Sequence, residues 1–96
     1  MEIDELAEQA RGIWGKENLS LSEILIRIGV VYGDLCRYER NAKKDRENHT
    51  DEELKKEFGN MIFSMIKFAD QLGHNPKECI ELAIETQRKN KEILQK

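Results

Sequence analysis

The chain has 96 residues, of which 36% are charged and 39% are hydrophobic, with one proline and a formal net charge of −3. This length allows one modest core, and the scarcity of proline argues against a β-sandwich, so we expect a single all-α domain over residues 1–96. The weak negative charge argues against nucleic-acid binding, and the acidic N-terminus argues against a secretory signal. No apolar run reaches the roughly 20 residues of a membrane span, so we expect a cytoplasmic protein.

Two helices are predicted in the first half of the chain. Apolar residues recur at helical spacing over residues 3–14, and Gly15 opens a short loop. Ser20 and Glu23 have the spacing of a capping box, which predicts a second helix that runs to about Asn41. The first half of that helix is apolar almost all round, which in so small a domain indicates burial by a second subunit. We therefore expect a homo-oligomer, either a dimer or a tetramer.

A third helix is predicted over residues 53–72, after a capping-box pattern formed by Thr50 and Glu53. Apolar residues recur on it every three or four positions, which predicts one buried face. This apolar stripe consists of Leu54, Phe58, Met61, Ile62, Met65, Phe68, Ala69 and Leu72.

The end of the third helix and the start of a fourth are marked by three residues. Gly73 suits a left-handed residue after a helix, Asn75 suits an N-cap, and Pro76 suits the first helical position. We expect the fourth helix to fray after Arg88. Four helices with short connections predict an antiparallel four-helix bundle, which oligomerisation completes.

Polar residues on the second and third helices form a candidate site for a divalent cation. Glu53, Glu57 and Asn60 share one face of the third helix, and the second helix offers Asp34 with Arg37 one turn later. Mg²⁺ prefers hard oxygen ligands and commonly completes its coordination with waters and substrate phosphates. The pattern is also typical of an ordinary solvated helix, so both interpretations stay open.

The charged run over residues 40–48 also has two interpretations. It is a solvated connection, or its basic residues, including Arg46, contact the phosphates of a ligand. His49 and His74 fall in predicted connections and have no partner at metal-ligand spacing, so we interpret both as loop residues.

Four segments carry a resemblance to a known family. VYGDL at residues 31–35 and EFGNMI at residues 57–62 resemble the paired helical motifs of MazG-like nucleoside triphosphate pyrophosphohydrolases. FADQLG at residues 68–73 and NPKEC at residues 75–79 are similar to the junction of the third and fourth helices in that family. The resemblance covers roughly residues 19–89, and it implies a MazG-like helical bundle.

The resemblance implies Mg²⁺-dependent hydrolysis of a nucleoside triphosphate to the monophosphate and pyrophosphate, with Mn²⁺ able to replace Mg²⁺. The family holds its metal with an E-x-x-E and an E-x-x-D motif. Asp34 matches the second acid of the first motif, whereas Val31 stands in place of the first acid. Glu57 matches the first acid of the second motif, and Asn60 stands in place of its aspartate. Each lost charge weakens metal binding by on the order of 1–4 kcal/mol.

The implied metal ligands are therefore Asp34, Glu57 and Asn60, with Glu53 and Glu57 as the catalytic acids. The implied contacts to the substrate phosphates are Arg37, Arg40, Lys43 and Lys44. Because two motif acids are replaced, the sequence leaves enzymatic activity open. The alternatives are a catalytically inactive nucleotide-binding or oligomeric regulatory module, and a helical interaction module whose polar rows are solvated surface.

Overall fold

The structure is a computed structural model that describes residues 1–44, 47 and 49–95. These residues form helices and connections without a strand, which confirms the predicted all-α class. The helices are α1 (Ile3–Trp14), α2 (Leu21–Arg40), α3 (Asp51–Gln71) and α4 (Pro76–Leu94). Within those ranges, none of the helices combines the length and the apolar character needed to cross a membrane.

The starts of α2 and α3 follow the predicted capping residues. Ser20 Oγ accepts a hydrogen bond from the Glu23 amide at 3.1 Å, and the Glu23 carboxylate accepts one from the Ser20 amide at 3.3 Å, which completes the capping box. At α3, Thr50 Oγ1 accepts from the Glu53 amide at 3.2 Å. The Glu53 carboxylate instead pairs with Lys56 at 3.1 Å, so the second box is only half formed.

The C-terminus of α3 ends in a Schellman motif at Gly73. The φ angle of Gly73 is 85°, a left-handed conformation that glycine adopts without a steric penalty. The amides of Gly73 and His74 each donate a 3.0 Å hydrogen bond, to the carbonyls of Asp70 and Ala69 respectively. These bonds satisfy carbonyls that would otherwise lack partners at the helix end.

The start of α4 is as predicted, but its end is not. The Asn75 side chain accepts hydrogen bonds from the amides of Lys77 and Glu78, and Pro76 occupies the first helical position. The helix then continues through Leu94 instead of fraying after Arg88. Its last two turns are rich in residues with high helix propensity, which explains the continuation.

The helices pack as an antiparallel α2–α3 hairpin with α1 and α4 against α3. α1 contacts α3 and α4, and α4 contacts α3. In the part of the chain that the structure describes, α2 packs against neither α1 nor α4. The buried apolar residues are Ala7, Ala10, Ile24, Ile66 and Phe68. Among the described helices of a single chain, α3 is therefore the one that packs against α2.

The direction of the buried face of α3 differs from the prediction. Of the predicted apolar stripe, Phe68 is buried and Leu54, Met61 and Ala69 are half-buried, but the remaining four members are exposed: Phe58, Ile62, Met65 and Leu72. On the face predicted to be polar, Glu53, Glu57 and Ser64 are half-buried and Lys67 is buried. The helix is thus rotated so that part of its polar row faces the rest of the chain.

Lys67 is buried because Glu17 and the rings of Trp14 and Phe68 surround its ammonium. Lys67 is only 7% exposed. Its Nζ lies 3.1 Å from Glu17 Oε1 and 4.2 Å from the centre of the Trp14 ring. Arg27 donates to the other Glu17 oxygen at 2.9 Å. The hydrogen bonds from Lys67 and then from Arg27 lower the pKa of Glu17. This network fastens the α1–α2 connection to both α2 and α3.

Candidate functional site

A cavity of about 290 Å³ lies between the C-terminal half of α2 and the start of α3. The hairpin brings these segments together because its helices are antiparallel, so the C-terminal half of α2 lies beside the start of α3. Helical spacing then aligns the side chains, since residues three and four apart share a face. The lining consists of Asp34, Arg37, Tyr38, Asn41, His49, Glu53 and Glu57.

The cavity brings together four of the residues singled out in the sequence. Asp34 and Arg37 line it from α2, and Glu53 and Glu57 line it from α3. Asn60, one turn beyond Glu57, is exposed and is not among the lining residues.

The basic residues proposed as phosphate contacts have different positions. Arg40, Lys43 and Lys44 are exposed and do not line the cavity. Asp45, Arg46 and Asn48, which belong to the same charged run, lie outside the described residues. Of the four residues proposed as phosphate contacts, Arg37 is therefore the one that lines the cavity.

The charges along the cavity are partly compensated within each helix. Asp34 Oδ1 lies 3.3 Å from Arg37 Nη2, and Glu53 Oε2 lies 3.1 Å from Lys56 Nζ. Glu57 forms no ion pair with any residue that the structure describes. Three carboxylates and one guanidinium give the lining a negative formal charge, so the cavity favours a cation or a metal-bound anion over a free anion.

One wall of the cavity is an aromatic pair that the sequence reasoning missed. The rings of Tyr38 and His49 stack with centroids 4.1 Å apart and planes inclined by 15°. The Tyr38 hydroxyl donates to the Thr50 carbonyl at 3.0 Å, and burial, with a smaller effect from nearby carboxylates, raises the pKa of Tyr38. His49 Nε2 is buried and has no hydrogen-bond partner among the described residues.

Only part of this wall had a signal in the sequence. Tyr38 and Asn41 stand four and seven positions after Asp34, so helical periodicity places them on the same side of α2. His49 lies in a connection, as predicted. Its position in the cavity depends on how that connection folds back on Tyr38, which no periodicity indicates.

The carboxylates of the cavity do not converge on one point. Over residues 1–44, 47 and 49–95, no three His, Cys, Asp or Glu side chains form a group that could hold a metal ion. Asp34 and Glu57 face the same cavity from two helices, so protein ligands could supply only part of the coordination of a cation there. Waters and ligand phosphates would have to supply the rest, as is common for Mg²⁺.

A second cavity, of about 420 Å³, lies where the end of α1 meets the end of α3. Its main charged groups already satisfy each other, because Arg11 donates two 2.9 Å hydrogen bonds to Asp70. This hydrogen bonding raises the pKa of Arg11 and lowers the pKa of Asp70. The α2–α3 cavity, with carboxylates from facing helices, is thus the better candidate for ligand chemistry.

Comparisons with protein-family models, with curated proteins and with solved structures found no match to this chain. The resemblance to MazG-like pyrophosphohydrolases therefore rests on the residues of the chain themselves, and the candidate site is defined by its own geometry.

Proposed function

We propose that the chain is a MazG-like nucleotide pyrophosphohydrolase that binds a nucleoside triphosphate with Mg²⁺ in the α2–α3 cavity. The observation that carries the proposal is the cavity itself, since Asp34, Arg37, Glu53 and Glu57 line it together from two helices. Its volume of about 290 Å³ is at the lower end of ligand pockets, which suits a triphosphate with the nucleoside extending outside.

Each lining residue has a role in this proposal. Asp34 and Glu57 would hold Mg²⁺, or Mn²⁺ in its place, and Asn60 is the neutral ligand that the resemblance implies. Bound metal supplies charge neutralisation for the triphosphate. Arg37, whose Nη2 lies 3.3 Å from Asp34 Oδ1, would contact a phosphate of the ligand.

In the proposed hydrolysis, water attacks the α-phosphorus, the bond from that phosphorus to the leaving pyrophosphate breaks, and a base takes up a proton from the water. Glu53 stands one turn before Glu57 and lines the same cavity, so it is the residue proposed to accept the proton. Its 3.1 Å ion pair with Lys56 lies on the same helix, and the Lys56 side chain is 59% exposed, so the pair costs little to rearrange.

The basic residues of the charged run complete the substrate contacts in the proposal. Arg40, Lys43 and Lys44 are exposed near the cavity end of α2, and long side chains allow them to approach a phosphate that protrudes from the cavity. The proposal also includes self-association into a dimer or a tetramer as the completion of the helical bundle.

Pyrophosphate release from a panel of NTPs and dNTPs, with Mg²⁺ or Mn²⁺, is the direct test. We expect release by the wild-type chain and at least about a 100-fold lower kcat/KM for Glu57→Gln and Glu53→Gln. Glu52→Gln is the matched control, because Glu52 lies on the same turn of α3 but its side chain is 88% exposed and outside the cavity. Turnover that survives Glu57→Gln would contradict the site as proposed.

Two observations favour a second function, in which the chain binds a nucleotide or regulates a partner without catalysis. The described residues hold no group of three metal-binding side chains, and Val31, which replaces a motif acid, is half-buried. A catalytically inactive nucleotide-binding or regulatory module fits both observations. A thermal shift caused by nucleotide with Mg²⁺, without pyrophosphate release at high protein concentration, would select this function. The absence of both signals would reject nucleotide binding and favour a helical interaction module.

A further inference from the structure

The cavity of about 420 Å³ between the ends of α1 and α3, which we call the α1–α3 cavity, has room for a small organic ligand. Its volume falls within the range of small-molecule pockets and exceeds that of the α2–α3 cavity. Gly15 and Gly73 contribute to its lining, and a Cβ at either position would meet no neighbouring atom within 4 Å. The space in front of both glycines is therefore open.

The ion pairs around the α1–α3 cavity leave one of its cations over. Arg11 is held by Asp70 through two 2.9 Å hydrogen bonds, and Glu17 Oε1 lies 3.1 Å from the Lys67 ammonium. Lys16 also lines the cavity, but it forms no ion pair with any residue that the structure describes. The lining thus offers an ammonium that can pair with the carboxylate of a ligand.

Gln71 contributes an unsatisfied acceptor to the same cavity. Its Oε1 is buried and accepts no hydrogen bond from a described residue. An unpaired buried carbonyl oxygen costs free energy, which a donor on a ligand would recover. The terminal torsion of a glutamine side chain has a broad minimum, so the amide can turn its oxygen towards such a donor.

The ends of two helices make the α1–α3 cavity attractive to a positive charge. α1 ends at Trp14 and α3 ends at Gln71, and residues next to both ends line the cavity. The C-terminal carbonyls of one helix carry roughly half a negative charge, so two such ends together carry about one. The donor that Gln71 lacks is therefore best supplied by a cationic ammonium, in preference to a neutral N–H group.

We propose that the α1–α3 cavity binds a free α-amino acid as a zwitterion. The ammonium of the amino acid donates to Gln71 Oε1 at the helix ends, and its carboxylate pairs with Lys16. A ligand without net charge also suits the lining, because two cations there balance two carboxylates. These four residues are Arg11, Lys16, Glu17 and Asp70. The binding is independent of the nucleotide chemistry in the α2–α3 cavity.

Isothermal titration calorimetry of the wild-type chain with each of the twenty amino acids tests this proposal. For a ligand of about ten heavy atoms, we expect a dissociation constant on the order of 0.1–1 mM for at least one of them. The absence of heat and of a thermal shift with every amino acid at about 10 mM would overturn the proposal.

Two analogues of the best ligand test whether both of its charges are recognised. The amine that lacks the carboxylate and the carboxylic acid that lacks the amine should each bind at least about tenfold more weakly. The first leaves Lys16 without a partner, and the second leaves Gln71 and the helix ends without one. Equal affinity for either analogue would contradict binding as a zwitterion.

Two matched pairs of variants locate the site. Gln71→Leu removes the acceptor and Lys16→Met removes the cation, so each should raise the dissociation constant at least about tenfold. Gln87→Leu and Lys77→Met make the same replacements at exposed positions outside the cavity, and should leave the constant within about twofold of wild type. Circular dichroism checks that each variant is helical.

Lys16→Met keeps the proposal falsifiable if Gln71→Leu unfolds the chain, because Lys16 is exposed. Wild-type affinity in a folded Gln71→Leu or Lys16→Met variant would place the ligand elsewhere and overturn the proposal. Amino-acid binding without pyrophosphate release would support this site while arguing against the hydrolase.

Discussion

The stability of Lys67 variants tests whether this lysine is buried, as in the structure, or solvated, as its position on the polar face of α3 predicts. In the structure the residue is 7% exposed, its ammonium lies 3.1 Å from a Glu17 oxygen, and the Trp14 ring covers it at 4.2 Å. The aliphatic stem is buried together with the charge. Lys67→Ala removes both, whereas Lys67→Met keeps a stem of similar length and removes the charge.

The expected costs follow from these two losses. Lys67→Ala removes three buried methylenes at about 0.8 kcal/mol each, in addition to the interactions of the ammonium, so we expect a loss of about 3 kcal/mol in the free energy of unfolding. Lys67→Met should lose about 1 kcal/mol, because the cation–π contact and the ion pair disappear, while the packing is largely retained and Glu17 keeps its 2.9 Å pair with Arg27. A solvated lysine would give changes within about 0.5 kcal/mol for both variants.

Urea unfolding followed by circular dichroism measures both variants. All samples need the same protein concentration, because the proposed self-association would make the apparent stability depend on it. Lys55→Ala is the matched control, since Lys55 lies on the same helix and its side chain is 75% exposed. Equal free energies of unfolding for Lys67→Ala and Lys55→Ala would refute the burial of Lys67. They would also refute the rotation of α3 that buries this lysine.

Three further predictions concern pH and the helix ends. Arg11 lowers the pKa of Asp70 from its ordinary value of 3.8, so the Asp70 carboxylate stabilises the fold above pH 3.8. This contribution is lost as the pH falls through the lower pKa of the folded state. In urea titrations between about pH 5 and pH 2, the wild type should therefore lose more stability than Asp70→Asn. Ser20→Ala should cost about 1 kcal/mol in the same assay, with Ser22→Ala much smaller, because only Ser20 caps α2; equal losses would contradict the cap. Gly73→Ala should cost about 1 kcal/mol, because alanine is strained at a φ of 85°, and a melting temperature equal to that of the wild type would disprove this.

Local chemistry in the sequence was sufficient to predict where the helices begin and where α3 ends. Ser20, Thr50 and Asn75 each accept amide hydrogen bonds from the first turn that follows, and Gly73 has the left-handed conformation expected after α3. These signals involve residues within a few positions of one another, so a single chain segment contains all the information. The side-by-side placement of Asp34, Glu53 and Glu57 was also predictable, since it needs only helical periodicity and an antiparallel hairpin.

The sequence by itself thus determined the helices, their caps and the rows of residues that share a face. Only the tertiary structure decided which way each row points, because periodicity fixes relative positions around a helix and packing fixes the absolute direction. On α3 that direction buries Lys67 and exposes Phe58 and Ile62, the reverse of what hydrophobicity predicts. Long-range contacts are the physical reason: Glu17 and Trp14, about fifty residues earlier in the chain, supply the charge and the ring that make a buried lysine stable.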